Sequence, residues 1–332
     1  MQGSISVGRS HAAENWIRGA SIDEPWRMSI ASQLPTSTRF RADRLLDGPI
    51  IHSALPGLEA ERGANINGPS LVRVPETTPG RLGRYYLYFA HHGGHYIRMA
   101  WADELTGPWT VLPEPGVLHM DDGPGVRHIA SPDVHIDIAT GQWRMYFHMP
   151  VPEQGQRTFV ALSMDGLHWQ VRSEDLGWFY CRAFPWQNAW FCFTKDTNVG
   201  GILSRSPDGL QPFDEGPTVT PRGRHAAAWR EGDTLHLFYS RAEDRPEQIL
   251  VSRIDLSIPW QQWTATPPEV VLAPECAWEG ACLPSQMSRW GASKVPVHQL
   301  RDPAIFEKEG KLYLLYSGAG EINLGIARLH LL

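Results

Sequence analysis

Cysteine is scarce in this chain. Four residues among 332 carry a thiol, Cys181, Cys192, Cys276 and Cys282, and no two share the CxxC or Cys/His spacing of a zinc site. A disulfide-built scaffold and a structural zinc are thereby excluded. The four read as buried free thiols, with one disulfide left open between Cys181 and Cys192, which a hairpin could set face to face. A surplus of positive charge is also missing: 30 Lys and Arg stand against 36 Asp and Glu, a net charge of −6 with a pI near 6.2. The basic footprint of nucleic-acid or anionic-membrane binding is therefore absent. No apolar run reaches the roughly 18 residues of a membrane span, and the first segment lacks the apolar core of a secretory signal. As written, the chain is expected in the cytoplasm; removal of a signal peptide would place it in the periplasm or outside the cell.

What is plentiful points to strands. Fourteen Trp, 11 Phe and 9 Tyr accompany 31 Gly and 27 Pro, a supply that suits short β-strands joined by tight turns. One pattern recurs: an apolar strand, an aromatic-rich strand, a third strand and a turn closing on an aromatic. The first copy reads 68–74 (GPSLVRV), 85–90 (YYLYFA), 96–101 (YIRMAW) and 105–109 (LTGPW). The second reads 131–138 (SPDVHIDI), 143–148 (WRMYFH), 158–163 (TFVALS) and 165–169 (DGLHW). A more degenerate third copy starts near 180 and runs through 189–193 (AWFCF) and 201–204 to 208–213 (DGLQPF). A fourth runs from 225 through 235–239 (LHLFY) and 249–254 to 256–260 (LSIPW), and a fifth holds 301–306 (RDPAIF), 312–316 (LYLLY) and 322–327 (INLGIA).

Units of this size cannot bury their own faces alone, and stacking them around an axis hides their edges. The expected fold is all-β, a five-bladed β-propeller over 25–332, preceded by a polar, flexible arm over 1–24. The fifth copy ends short of an outer strand, so residues 39–52 are expected to close the ring. The stretch 264–300 is longer than a blade connection needs and is placed at a functional rim.

Arg301-Asp302-Pro303-Ala304-Ile305 opening an inner strand, Ser131-Pro132-Asp133 doing the same in the second copy, and the Asp-Gly-Leu and Thr-Gly-Pro-Trp turns carry a resemblance. The chain from about 40 onward resembles the five-bladed propeller glycosidases around glycoside hydrolase family 43. The resemblance implies glycoside hydrolysis, inverting, with an Asp base at the start of the first inner strand, an Asp that tunes pKa and a Glu acid. Here that first strand opens Asn67-Gly68-Pro69-Ser70, so either the base has moved or the chemistry differs.

Strands alternate in direction, so the starts of first strands and the ends of second strands share one mouth. That rule gathers Asn67, His128, Asp133, Arg182, Arg224, His225, Arg301 and Asp302 from strand starts. From strand-two ends and their loops come His91, His92, His95, His148, Lys195, Asp196, Arg241, Glu243 and Glu321. Glycoside hydrolysis needs two carboxyl groups in different environments, and Asp133, Asp302, Glu321 and Glu279 are the candidates. Asp302 is the expected base, and Glu321 or Glu279 the acid. Asp133 is assigned to catalysis or sugar binding, while Asn67, His92, His128, His148, Arg182, His225 and Arg301 are assigned to substrate.

The His91-His92-Gly93-Gly94-His95 cluster suits hydrogen bonding better than a metal, because adjacent strand residues point to opposite faces and no carboxylate completes a ligand set. No metal site and no cofactor are assigned; an axial Ca²⁺ is left open. The arginines Arg182, Arg224, Arg241 and Arg301 near the mouth suggest an acidic sugar such as a uronate. Two further readings stand beside hydrolysis: a polysaccharide lyase using His or Tyr with Arg on a uronate, and a non-catalytic sugar-binding propeller. The expected partner is a carbohydrate, with no nucleic acid and no membrane; the oligomeric state is not readable.

Overall fold

Runs of aromatic and β-branched residues, each cut off by a Gly, Pro or Asp turn, leave the strand as the regular structure these segments complete. The computed structural model describes residues 39–59, 63–196 and 200–332; the arm expected over 1–24 and the domain start at 25 lie outside them. The described residues form one compact unit, and it is all-β. After β1 (Phe40–Arg44) comes a first group of β2 (Asn67–Arg73), β3 (Tyr85–Ala90), β4 (Tyr96–Ala102) and β5 (Thr110–Val111), with β6 (Leu118–His119) pairing separately with β4. A second group holds β7 (Ala130–Asp137), β8 (Gln142–Val151), β9 (Gly155–Ser163) and β10 (Gln170–Val171). The third is β11 (Gly177–Trp186), β12 (Ala189–Lys195), β13 (Gly200–Ser206) and β14 (Asp214–Pro221); the fourth is β15 (Gly223–Glu231), β16 (Thr234–Arg241), β17 (Ile249–Asp255) and β18 (Glu269–Leu272). Last come β19 (Arg301–Lys308), β20 (Lys311–Gly318) and β21 (Asn323–Leu331).

All pairings within these groups are antiparallel. The final sheet takes its outer strand from the other end of the chain, with Phe40 opposite Leu331 and Arg44 opposite Ala327. The second and third groups merge into one sheet because Gly177 and Trp178 of β11 pair with Thr158 and Arg157 of β9. The stretch expected as an insertion from 264 starts later, since β18 uses its first part as an outer strand. Only the segment after Leu272 is free to reach the rim.

Apolar side chains fill the spaces between successive groups. Leu71 and Tyr85 pack with Phe306 and Leu315; Val72 and Tyr86 pack with Trp143 and Met145; Phe191 and Phe193 pack with Leu237 and Tyr239. The first strands touch in sequence: β2 meets β7, β7 meets β11, β11 meets β15, β15 meets β19, and β19 meets β2. All four cysteines are free; Cys181 and Cys192 are buried as expected, but Cys276 is half-buried and Cys282 exposed, both lying in the segment after the last outer strand of the fourth group rather than in a strand. Cys192 pairs in register with Ala183 rather than Cys181, and the two thiols lie side by side unbonded.

Candidate active site

In every first strand the register slips at the same place. Asn67 faces Ala90 but Ser70 faces Tyr88; Ala130 faces His148 but Asp133 faces Tyr146. The same slip follows the pairs Phe179–Lys195, Gly223–Arg241 and Arg301–Ser317. An extra residue in one strand of an antiparallel pair is a β-bulge, which bends the strand and re-aims its side chains. The first bulged residues are Gly68, Ser131, Tyr180, Arg224 and Asp302. Four of them are left-handed, with φ of 60° at Gly68, 56° at Ser131, 59° at Tyr180 and 49° at Asp302. For the three that carry a Cβ this backbone costs about 1–2 kcal/mol each, and such strain tends to persist where surrounding structure over-determines it.

A narrow pocket lies where these bulges meet, with about 10 Å³ of free space, room for little more than a water-sized group. Six of the residues anticipated from the sequence line it: Asn67, His92, His128, His148, His225 and Glu321. Gly93, Ala130, Ser131, Gln156 and Tyr180 complete the wall. A roomier cleft of about 490 Å³ lies near Trp186, Arg205 and Trp260, but no carboxylate or imidazole lines it.

Among the described residues Glu321 is the one carboxylate in the pocket lining, and it is 1% exposed. Its Oε2 accepts hydrogen bonds from the amides of Asn65 at 2.8 Å and Asn67 at 3.2 Å. The Oε1 accepts from Arg301 Nη1 at 2.8 Å and from the Ser293 N–H at 3.3 Å. His92 Nδ1 stands 3.7 Å from Oε2, and its backbone N–H donates to Asn65 Oδ1 at 2.8 Å. All four bonds to the Glu321 oxygens come from N–H groups, so the carboxylate is held as an acceptor at the pocket wall.

At the same pocket, the Nδ1 of His225 contacts Asp302 Oδ1 directly, and the Ser317 hydroxyl donates to Asp302 Oδ2 at 2.9 Å. Burial opposes the charge on Asp302, but His225 and Ser317 hold its carboxyl well below the usual carboxylate range. Burial also pushes the His225 imidazole below its ordinary value, and Arg224 adds to that. A neutral imidazole whose Nδ1–H faces a carboxylate leaves its Nε2 lone pair for a proton. The Tyr180 ring stands edge-on to His225 at 4.3 Å and to His148 at 4.8 Å. Burial, then the neighbouring imidazoles of His128 and His92, push His148 well below its usual range.

The structure keeps the other anticipated residues out of the lining. Asp302 is 1% exposed and reaches the pocket only through His225. Asp133 lies past the bulge, where it accepts from the Ala183 N–H at 2.8 Å and lies 2.9 Å from His135 Nε2, bracing the second group against the third. Arg182 is spent on the Pro132 carbonyl at 2.9 Å. Arg301 is divided between Glu321, Gln299 and Glu247. Glu279 is bound by Arg44 and by the Tyr316 hydroxyl at 2.8 Å, where β1 meets the last sheet. Arg224 latches the rim segment through the carbonyls of Arg289 at 2.6 Å and Gly291 at 2.8 Å, and Arg241 pairs with Asp244 at 2.9 Å.

Sequence reasoning missed Asn65, Ser131, Gln156, Tyr180 and Ser293. A usable signal was present for one of them: Gly68-Pro69, Ser131-Pro132 and Asp302-Pro303 put proline in the same bulge. The residue before that proline is the one re-aimed. At Tyr180-Cys181 and Arg224-His225 the proline is gone, and the bulge is visible only in the register.

No family model matches the chain. It is 31% identical over 323 residues to a protein of Acanthamoeba polyphaga mimivirus described as uncharacterized protein R118, covering 86% of this chain and 89% of that one. Among solved structures it is similar to a family 43 β-xylosidase/α-arabinofuranosidase from a compost microbial metagenome, in complex with xylotriose, with a TM-score of 0.57 and 14% identity over 87% of this chain and 94% of that one. It is also similar to the catalytic domain of a family 62 α-L-arabinofuranosidase from Coprinopsis cinerea, with a TM-score of 0.56 and 15% identity over 89% and 98% of the two chains. An exo-1,5-α-L-arabinanase from a bovine ruminal metagenomic library matches with a TM-score of 0.53 and 15% identity over 80% and 92%. These structural likenesses establish the fold.

Proposed function

From a chain that belongs to one family with the mimiviral protein R118 and has the fold of the family 43 and family 62 glycosidases, we propose a glycoside hydrolase acting at the bulge-lined pocket. We read the strand groups as five blades with the ring closed by β1, a reading supported by the succession of contacts from β2 round to β19 and back. The observation that carries the function is the presence at one pocket of two pairs, Glu321 with His92 and His225 with Asp302.

The free space admits little beyond a water, so the sugar sits across the mouth and its anomeric carbon faces inward. Glu321 places a fixed negative charge against the oxocarbenium-like transition state. His225 Nε2 takes a proton from the attacking water, Asp302 holds the imidazole in place, and His92, beside Glu321, is assigned the proton transfer to the departing oxygen. The C–O bond breaks as the new one forms on the opposite face, which inverts the anomeric centre. His128, His148 and Tyr180 are left to hold hydroxyls.

The test is product analysis on a panel of aryl glycosides and neutral and acidic oligosaccharides, comparing wild type with Glu321→Gln and His225→Asn. Release of a reducing sugar that both variants lower by about 100-fold or more supports the proposal. The histidine-rich lining with a single carboxylate favours one rival, β-elimination on a uronate. An unsaturated product absorbing in the ultraviolet would replace hydrolysis with that chemistry, and turnover untouched by either substitution would move the site elsewhere.

A further inference from the structure

Lys195 ends β12 and is 4% exposed. Among the described residues no ion pair or hydrogen bond reaches its ammonium. Three rings surround it instead, with Nζ 4.5 Å from the centre of Trp290, 5.2 Å from Tyr180 and 5.3 Å from Phe179. A buried cation without an ion pair or hydrogen bond is costly, and cation–π contacts return only part of that cost.

Register says where this cation stands. Lys195 faces Phe179 immediately before the bulge of β11, just as His148 faces Ala130 immediately before the bulge of β7. His148 and Tyr180 both line the pocket; Lys195 holds the register position of His148 in the next strand group, outside the lining and behind the ring of Tyr180. The arginines that suggested an acidic sugar are committed to carbonyls and carboxylates of the protein. Lys195 is not.

We infer that Lys195 is the receptor for a carboxylate on the ligand, which makes the substrate class a uronate-type sugar. This rests on the sugar-binding reading of the pocket, though not on turnover. Trp290 and Tyr180 offer apolar faces on which the ring can lie while its carboxylate reaches Nζ. Trp290 comes from the rim segment that Arg224 latches, so the latch also builds the cage.

Protonation supplies a distinctive readout. Burial, then Arg224, hold the Lys195 ammonium down to about 7. Arg224 and His225 face it from β15, Asp302 from β19 and Glu247 from the loop after β16, along with its neighbour Asp196. His148 from β8 and the Tyr180 phenol complete the surroundings; burial keeps both imidazoles and the phenol in their neutral forms near neutral pH. A carboxylate favours the charged amine, so above about pH 7 its binding takes up a proton and its affinity falls as pH rises.

The experiment is titration calorimetry of the full chain with the methyl glycosides of glucuronic and galacturonic acid and their neutral counterparts, at about pH 6 and about pH 8.5. One uronide is expected to bind about tenfold more tightly than its neutral partner at the lower pH, by a preference that shrinks at the higher. Lys195→Met should abolish the preference and raise thermal stability, because an unpaired buried charge is gone; Lys195→Arg should keep the preference at both pH values. Neutral and acidic sugars bound equally by wild type, or a preference that survives in Lys195→Met, would overturn the inference and leave the glycosidase reading standing. Absence of binding by any sugar would sink both.

Discussion

Glu279 was a candidate acid on sequence grounds, and replacing it with Gln separates a structural role from a catalytic one. Its carboxylate accepts from Arg44 Nε at 2.8 Å, Arg44 Nη2 at 2.7 Å and the Tyr316 hydroxyl at 2.8 Å. The backbone N–H groups of Glu275 and Cys276 add bonds of 2.8 and 3.0 Å. Burial works against its charge, but these donors, Arg44 foremost, hold its pKa below the usual range. An amide in the same place must aim its NH₂ at one oxygen site or the other, and each is already filled by N–H donors. Removing one partner of a buried pair costs about 3–5 kcal/mol. Arg44 keeps Glu275 at 2.8 Å and the Ala273 carbonyl at 2.7 Å, which puts Glu279→Gln near the lower end, about 3 kcal/mol. At about 2 °C per kcal/mol for a domain of this size, the midpoint should fall by roughly 6 °C. Urea unfolding measures the loss, and sugar affinity or turnover per folded molecule should stay within about twofold of wild type. A variant that unfolds like wild type but has lost activity would refute the reasoning and return Glu279 to the reaction.

Acid should weaken the seam between β1 and the fourth group. His236 is fully buried between the rings of Phe40 and Trp229, and burial above all holds its pKa down to about 4. Below about pH 6.5 the unfolded chain takes up a proton that the folded chain refuses, so stability falls as pH drops from there toward 4, by at most about 3 kcal/mol from this residue. His236→Phe should flatten that limb in urea melts at different pH; an unchanged slope would count against the assignment. Gly68→Asp tests the bulge: the added Cβ meets Ser131 Cα at an ordinary 3.5 Å, and Ser131 and Asp302 already hold the same backbone. Denaturant unfolding should register a loss of about 1 kcal/mol, and a loss above about 3 kcal/mol would mean that crowding rather than φ governs the site.

Strand class, repeat and the face carrying the pocket were readable in the chain because each rests on local chemistry. Aromatic runs such as Tyr85–Ala90 and turns such as Asp165-Gly166 act within a few residues. Alternating strand direction then sorts their ends without any long-range knowledge, which is how Asn67, His92, His128, His148, His225 and Glu321 were reached. Partners were not readable. Asp133 and Ser131 are two residues apart, yet the bulge turns one toward the pocket and the other toward the Ala183 N–H. Glu321 meets an amide 256 positions away, Glu279 an arginine 235 positions away, and Lys195 a ring from the rim segment. Such pairings belong to packing between sheets, where burial makes each polar group seek whatever partner the neighbouring sheet presents. That choice exists only once the sheets are side by side.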